Sequence, residues 1–327
     1  MKGSRDGWSW RSVVRLVGAL VVAAAGLAGP AEAGEKLRVG QVYVWLGDIP
    51  QYVAQEKGFY KAKGVNVDLI TFRGGGEVAN ALVGGSVDVA IGALDHAIKM
   101  REKGLDVAVV LVIQEKLGFT MFGRKASGIK SIADLKGKVL STSAPGSAAD
   151  NYMRFLLVKN GLDPQKDVTI VAGGGNEGRI AALKQGAAVG GAVTEPATSL
   201  ILSEGFAEVL HDGTQWDYPF NVAIVKREFL AKHRDMVKGF VEATLEGSRF
   251  SRANPGQAEE VALKVFGKGD PKIIRQATRN YLPTFSETGL LTEKGVNFVN
   301  ELLIATKAIK ETVPLSALAD DSLLPKN

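Results

Sequence analysis

Short apolar runs alternate with segments of helical period along most of the chain. The apolar runs are rich in Val and Ile, which is typical of buried strands in a parallel sheet that helices cover on both faces. A first group of elements is predicted as strands at 37–44, 65–72, 87–91 and 107–113, with helices at 49–60, 77–83 and 93–103. This alternation predicts an α/β lobe.

The same pattern starts again at about residue 130 and is followed by a helical tail. The second group is predicted as strands at 138–142, 168–172 and 190–193, with helices at 147–160, 177–185 and 196–204. After a returning strand at 221–226, helices are expected at 236–252, 257–266, 271–281 and 293–312, and the polar end at 319–327 is expected to fray. The pattern predicts a second α/β lobe and a C-terminal helical segment.

An internal repeat relates the two groups. "FRGGGEVANALVGGSVDVAIGALD" at 72–95 and "VAGGGNEGRIAALKQGAAVGGAVTEP" at 171–196 each contain an apolar strand, three glycines and a short helix with Ala-Leu-x-x-Gly. A strand of small residues follows in each copy and leads to an acidic residue, Asp95 or Glu195. Glycines allow close backbone approach, and the unpaired amides of a first helical turn favour an anion or a ligand oxygen. The repeat predicts two related lobes, each with a glycine turn at a helix N-terminus.

The second glycine turn also fits a nucleotide-binding pattern. Gly173, Gly175 and Gly178 match G-x-G-x-x-G, and Glu195 lies at a suitable distance downstream. That pattern normally opens the first βαβ unit of its domain, whereas this match lies in mid-chain and the sister turn at Gly74 lacks the third glycine. A Rossmann-type oxidoreductase is therefore the weaker alternative.

The N-terminus has the three parts of a secretory signal peptide. Basic residues, including Arg11 and Arg15, accompany an apolar run at 13–28, and Ala31-Glu32-Ala33 has the A-x-A cleavage pattern. The uncharged part of the run is too short for a membrane-spanning helix. We expect residues 1–33 to be a signal peptide cleaved near Ala33, which predicts a periplasmic protein.

Cysteine usage and charge exclude several classes of protein. With no Cys, the chain is not a lipoprotein, a disulfide scaffold or a thiol enzyme, and it has no Cys-ligated zinc. Removal of 1–33 takes four basic and two acidic residues from the 40 Lys/Arg and 35 Asp/Glu, which leaves a formal charge of +3. No basic cluster is interleaved with aromatic residues, so nucleic-acid binding is not expected.

Candidate catalytic residues are few. His96, His211 and His233 do not have metal-ligand spacing, and the chain has no H-E-x-x-H and no G-x-S-x-G. His96 follows Asp95 at a strand end and is the histidine best placed to face a cleft, whereas Ser147 suits a helix N-cap that can also contact a ligand. We expect no catalytic site, no metal and no cofactor. An exported two-lobed α/β protein of this kind is most simply a binding protein that closes on a small molecule.

Three segments carry a family resemblance: "AQEKGFYKAKGVNV" at 54–67, "GGEVANALVGGSVDVA" at 75–90 and "IKSIADLKGKVLSTSAPGSA" at 129–148. With these segments, the chain resembles the ABC-transporter substrate-binding proteins for nitrate, sulfonate, taurine and pyrimidine precursors. This is the NMT1/THI5-like group, which includes SsuA-like and TauA-like proteins. The resemblance covers roughly 37–212.

The resemblance implies the type II periplasmic-binding-protein fold, an α/β architecture with two lobes around a ligand cleft and a two-stranded hinge. Lobe 1 would comprise 34–115 and 218–327, and lobe 2 would comprise 116–217. The crossings would lie near 114–119 and 216–220. The resemblance also implies a small-molecule ligand, an ABC permease in the inner membrane as partner, and a monomer.

In the resembling family, ligand contacts come from loops that follow the strands. Carried over to this sequence, the implied ligand-binding residues are Tyr43, Val44, Trp45, Gly74, Gly75, Gly76, Glu77, Ala93, Leu94, Asp95, Ser143, Gly146, Ser147, Gly174, Gly175, Asn176 and Glu195. Two alternatives stay open, because Trp45 is either a core residue or a stacking wall, and Glu195 either faces the pocket or caps the following helix. Asp95 and Glu195 would suit a ligand with an amine or a ring N–H.

The combined hypothesis is the periplasmic solute-binding component of an ABC importer, with a small organic solute of sulfonate, carboxylate or pyrimidine-like type. The family's pyrimidine synthases carry a Cys-rich element, so this chain without Cys is not expected to be an enzyme. Arg73 and Arg179 are the arginines near the expected cleft, and a strongly anionic ligand such as nitrate is not favoured. A ligand-sensing binding protein that signals to a membrane receptor is the alternative from another class.

Overall fold

The computed structural model of the protein describes residues 35–326, and within this range ten strands form two five-stranded sheets. The strands are β1 (Lys36–Val42), β2 (Asn66–Phe72), β3 (Val89–Gly92), β4 (Val107–Lys116), β5 (Thr120–Arg124), β6 (Lys138–Thr142), β7 (Val168–Ala172), β8 (Gly190–Val193), β9 (Ala207–Asp212) and β10 (Asp217–Lys226). The helices are α1 (Ile49–Glu56), α2 (Phe59–Ala62), α3 (Gly75–Gly84), α4 (Leu94–Glu102), α5 (Ala148–Lys159), α6 (Asn176–Gln185), α7 (Ala197–Glu204), α8 (Arg227–Lys232), α9 (Arg234–Ala253), α10 (Pro255–Phe266), α11 (Pro271–Tyr281), α12 (Glu293–Ala305) and α13 (Leu315–Leu318). The order of elements confirms the predicted α/β class.

Each sheet is mixed, and its antiparallel strand is the one that arrives from the other sheet. The strand orders are β2-β1-β3-β10-β4 and β7-β6-β8-β5-β9. β10 is antiparallel to β3 and β4, and β5 is antiparallel to β8 and β9. The pairs β1–β2, β1–β3, β6–β7 and β6–β8 are parallel, as the apolar runs indicated. The crossing strands are the exceptions, because each one enters its new sheet from the end at which the other strands leave.

The chain passes between the sheets twice. It leaves the first sheet through 117–119, between β4 and β5, and returns through 213–216, between β9 and β10. β4 and β10 are paired near both crossings, with Lys116 opposite Asp217. The parallel strands of both sheets end in the space between the sheets, which is where ligands bind in open α/β folds. The lobe boundaries given above stay a prediction.

Some elements differ from the pattern-based expectation. The sequence pattern does not predict β5 or β9, because β5 (TMFGR) contains no Val or Ile and β9 mixes charged with apolar residues. The helix expected at 49–60 is divided into α1 and α2, because Gly58 between them has a φ of 75° in the left-handed region. The helix expected at 293–312 ends at Ala305.

The C-terminal tail is packed, so the expectation that 319–327 frays is wrong for the residues described there. The backbone amide of Asp320 donates to the carbonyl oxygen of Val109 in β4 at 3.0 Å. Leu323 is completely buried and belongs to the apolar core of the first sheet. Leu324 packs against the same core. The polar composition of the tail hides these two apolar residues, whose burial holds the segment in place.

Gly247 of α9 lies against the backbone of α1 with no room for a side chain. A Cβ at this position would collide with the carbonyl oxygen of Pro50. Gly247→Ala should lower the free energy of unfolding by about 2 kcal/mol, because one helix backbone must shift to admit the methyl group. The control Gly256→Ala in α10 has open space, and we expect it to be neutral or stabilising by up to about 1 kcal/mol. Urea unfolding compares the two variants, and equal effects would contradict this packing.

Candidate ligand-binding site

A cavity of about 710 Å³ lies between the two sheets, at the carboxyl ends of their parallel strands. The first sheet and its helices contribute Val42, Tyr43, Trp45, Arg73, Gly74, Gly75, Gly76, Glu77, Asn80, Gly92, Ala93 and His96. The second sheet and its helices contribute Ser143, Ala144, Pro145, Gly146, Ser147, Ala148, Ala149 and Gly174. The crossing at 117–119 contributes Phe119, and β10 contributes Phe220. Its size is that of a cavity for a small organic molecule.

The residues implied by the family resemblance fall into two groups. Those that line the cavity are Tyr43, Trp45, Gly74, Gly75, Gly76, Glu77, Ala93, Ser143, Gly146, Ser147 and Gly174. Those that lie outside its lining are Val44, Leu94, Asp95, Gly175, Asn176 and Glu195. Val44 faces solvent with 43% of its surface exposed, whereas Leu94 and Asp95 are completely buried. Asn176 lies just behind the lining and donates to the backbone and hydroxyl oxygens of Thr194.

The two glycine turns of the repeat both reach this cavity. Gly74 precedes α3 in an extended conformation and provides no side-chain cap, and Gly174 precedes α6 with a φ of 69°. The imidazole of His96 packs against Gly75, and a Cβ at Gly75 would collide with its Nε2 atom. Gly174 is thus required for its positive φ, and Gly75 is required for close approach.

The G-x-G-x-x-G match has a local packing explanation. A Cβ at Gly178 would collide with the carbonyl oxygen of Gly173, and a Cβ at Gly173 would collide with Oγ of Ser141. These glycines let α6 start close to the end of β7 and β6. Of the three motif positions, none lines the cavity, so the geometry does not favour a dinucleotide site.

Glu195 caps α7 and does not reach the cavity. Its carboxylate accepts hydrogen bonds from the amide and the hydroxyl of Ser199, each at 2.9 Å, and from Nδ2 of Asn280 at 2.8 Å. Burial raises the pKa of the Glu195 carboxyl, although these hydrogen bonds oppose the shift. Of the two alternatives for Glu195, the helix cap is the one that the structure has. Both carboxylate oxygens accept hydrogen bonds from the protein.

Asp95 is completely buried behind the cavity wall and connects α4 with α5. Its Oδ2 accepts from Nδ2 of Asn151 at 2.7 Å and from Nζ of Lys99 at 3.1 Å. Lys99 also donates to the carbonyl oxygen of Gly146 at 3.0 Å. Burial opposes ionisation of Asp95, but the facing His96 and Lys99 and these hydrogen bonds outweigh it and lower its pKa. The structure gives Asp95 protein partners in place of a ligand amine.

An aromatic wall closes one side of the cavity. The indole of Trp45 meets Phe220 edge-on, with ring centroids 5.2 Å apart, and meets Tyr281 in the same way at 6.0 Å. Phe119 adds a further edge contact to Phe220 at 4.9 Å. Trp45 is only 6% exposed, so it is both a core residue and a wall residue. Phe119 and Phe220 were missed by sequence reasoning, and the available signal was the presence of aromatic residues in the expected crossings at 114–119 and 216–220.

The cavity lining carries no net charge. Its charged residues, Arg73 and Glu77, pair with each other at 3.1 Å between Nε and Oε1. Burial lowers the pKa of His96, so its imidazole is neutral at pH 7. Arg179 is completely buried, and it donates to Oδ1 of Asn176 at 2.8 Å and to Oη of Tyr43 at 3.5 Å. Arg179 therefore holds the cavity wall and does not offer a free charge to a ligand.

The hydroxyl groups of the cavity have structural partners. Oγ of Ser147 accepts from the backbone amide of Asp150 at 3.2 Å, which confirms the predicted N-cap of α5. Oγ of Ser143 donates to Oγ of Ser147 at 2.7 Å. Within 35–326, no group of three or more His, Asp or Glu side chains is placed to hold a metal ion.

Asp48 is a buried carboxyl group close to the aromatic wall. Burial raises its pKa from 3.8 to about 7, against hydrogen bonds from uncharged partners that include Asn221 and Gln51. Because the folded protein binds this proton more tightly than the unfolded chain, Asp48 should make the free energy of unfolding fall as the pH rises from about 4 to about 7. Asp48→Asn should remove this trend and stabilise the protein at pH 8 by at most about 4 kcal/mol. Urea unfolding at pH 4.5 and pH 8 measures it, and a pH-independent difference between variant and wild type would contradict it.

The fold and the cavity define a class, the two-lobed α/β proteins that bind a solute between their sheets. The alkanesulfonate-binding protein SsuA from Xanthomonas axonopodis pv. citri bound to MOPS has this fold, with a TM-score of 0.74 at 18% identity, covering 86% of this chain and 97% of that chain. The taurine-binding periplasmic protein of Escherichia coli (strain K12) is 29% identical over 290 residues, which is 83% of this chain and 86% of the relative.

The sequence model of the NMT1/THI5 like family matches residues 47–258, and the chain belongs to this family. It is a solute-binding protein by family, fold and cavity. The 4-amino-5-hydroxymethyl-2-methylpyrimidine phosphate synthase of Legionella pneumophila is also similar, at 20% identity over 296 residues, which is 84% of this chain and 88% of the relative.

Proposed function

We propose that the protein is the periplasmic solute-binding component of an ABC importer. It binds one small organic solute between its two sheets and delivers it to a permease in the inner membrane. The observation that carries this proposal is that glycine turns from both sheets project into the same cavity, at Gly74–Gly76 and at Gly174. A solute that contacts both turns would hold the two halves of the molecule together.

The cavity wall supports a solute with a planar ring. Trp45, Phe119 and Phe220 provide apolar edges and faces on one side, and aromatic rings favour edge-to-face or offset contact with another ring. On the other side, first-turn amides of α3 at Gly75 and Gly76 have no partner within the helix and suit a ligand oxygen. This combination supports an aromatic or pyrimidine-like solute that carries a carbonyl or acid oxygen.

The proposal includes export and the absence of catalysis. The expected signal peptide at 1–33 lies outside the described residues, and the support for export is its sequence pattern and the periplasmic relative in E. coli. Between residues 35 and 326, no helix has the length and apolar character that a membrane crossing requires. Ser143 and Ser147, the serines of the cavity lining, bond to each other and, through Ser147, to a backbone amide, which supports binding without nucleophilic catalysis.

A solute panel tests the proposed function. Thermal shift followed by isothermal titration should cover alkanesulfonates, aromatic carboxylates, aromatic amides, pyrimidines and NAD. We expect at least one small organic solute to bind with 1:1 stoichiometry and to raise Tm in proportion to its concentration. The proposal would be contradicted if only NAD raised Tm, or if no solute of the panel raised it.

A further inference from the structure

The helices that begin at the cavity share one feature, an acidic residue in the first turn. α3 has Glu77, α4 has Asp95, α5 has Asp150 and α6 has Glu177. A helix N-terminus carries a partial positive charge that attracts anions. In this protein, each of these helix ends therefore has a carboxylate of the chain itself close to its partial positive charge.

Glu77 is the one of these residues that lines the cavity. Its Oε1 accepts from Nε of Arg73 at 3.1 Å, and its Oε2 accepts from the backbone amide of Arg73 at 3.2 Å. The side chain of Arg73 is 91% exposed and that of Glu77 is 45% exposed, so solvent screens the arginine more strongly than the carboxylate. An anionic solute at the α3 turn would therefore be repelled by the carboxylate of Glu77, because the positive charge of Arg73 is screened by water.

The remaining cations near the cavity are also engaged. Nε of Arg154 donates to Oδ2 of Asp150 at 2.9 Å, and that oxygen also accepts from the amide of Gly146 at 2.8 Å. Lys99 is held by Asp95, as described above. Arg179 has only uncharged partners, but it lies behind the lining and its donors are used by Asn176 and Tyr43. The lining itself therefore offers hydrogen-bond donors without an excess positive charge, which does not suit an inorganic oxyanion or a sulfonate.

We infer that Glu77 is a specificity-determining residue that excludes anionic solutes, and that the solute is uncharged overall, with an amide- or imide-type oxygen at the α3 turn. This inference rests on the proposed function and narrows it. It separates this chain from its relatives named for taurine and alkanesulfonate.

Benzoate and benzamide form a matched pair of probes, because they have nearly the same shape and differ in charge. In wild type, benzamide should stabilise the protein more than benzoate. Glu77→Gln removes the carboxylate and should raise the affinity for benzoate by roughly tenfold, while the affinity for benzamide changes by less than about twofold. In the same way, the wild type should bind benzenesulfonamide more tightly than benzenesulfonate.

Glu228→Gln is the control variant. Glu228 forms the same i,i+4 pair with a cation, Lys232 at 2.6 Å, on the exposed helix α8 away from the cavity. In this control variant, the ratio of the affinities for benzamide and benzoate should equal that of the wild type. A Glu77→Gln protein that shows no gain for benzoate, or an equal gain for both probes, would overturn the inference. If the wild type binds solutes of the panel but Glu77→Gln shows no increase in affinity for benzoate, only this inference fails. If the wild type binds no solute, the proposed function fails as well.

Discussion

Gly75→Ala should lower the affinity for the solute by roughly 10- to 100-fold while the protein stays folded. The new Cβ would collide with Nε2 of His96, and the imidazole must move. His96 lines the cavity and its side chain is 12% exposed, so the free direction for its ring is into the space of the solute. Isothermal titration with the tightest solute of the panel measures the loss, and circular dichroism checks the fold.

Gly76→Ala is the matched control for this prediction. Gly76 also lines the cavity and is the next residue of α3, but a Cβ there has nothing within 4 Å. We expect its affinity to stay within about threefold of wild type, and its helix to gain slightly from the better helix former. Equal losses in the two variants would show that any methyl group on this turn blocks the solute and that His96 is not involved.

Asp95→Ala should be among the most destabilising substitutions in the chain. Asp95 is completely buried, and its removal leaves Asn151, which is 2% exposed, and Lys99 without their carboxylate partner. Leaving a buried amide without its charged acceptor and a partly buried lysine without its carboxylate costs about 2–4 kcal/mol, and we expect a loss of this size in urea unfolding without solute.

Glu301→Ala provides the comparison for Asp95→Ala. Glu301 pairs with Lys159 at 2.6 Å between α12 and α5, and both side chains are more than half exposed. An exposed pair contributes at most about 1 kcal/mol, so this variant should unfold close to wild type. If Asp95→Ala unfolded equally close to wild type, the link between α4 and α5 would contribute nothing to stability.

The α/β class and the ends of several strands could be predicted because hydrophobic periodicity is a local property. β6 and β7 have the bounds that their apolar runs indicate. β5 could not be predicted in the same way, because this short strand is stabilised by pairing with β8 and β9 far along the chain. The packed tail around Leu323 depends on the same kind of distant contact.

The glycine turns could be predicted because the order strand, glycine, helix is also local. Gly75 and Gly174 come from different sheets and reach one cavity, as the repeat indicated. The acidic residues at the ends of the two repeat copies could not be assigned from sequence. Asp95 and Glu195 bond to Asn151 and Asn280, and neither partner is marked by any pattern near the acidic residue.

The most direct test of solute binding between the two sheets is a crystal structure of the protein with the tightest solute of the panel. We predict density for the solute between the aromatic wall at Trp45 and the glycine turns, in contact with both Gly75 and Gly174. Density for the solute at any other place on the molecule, with this cavity occupied only by water, would contradict the account.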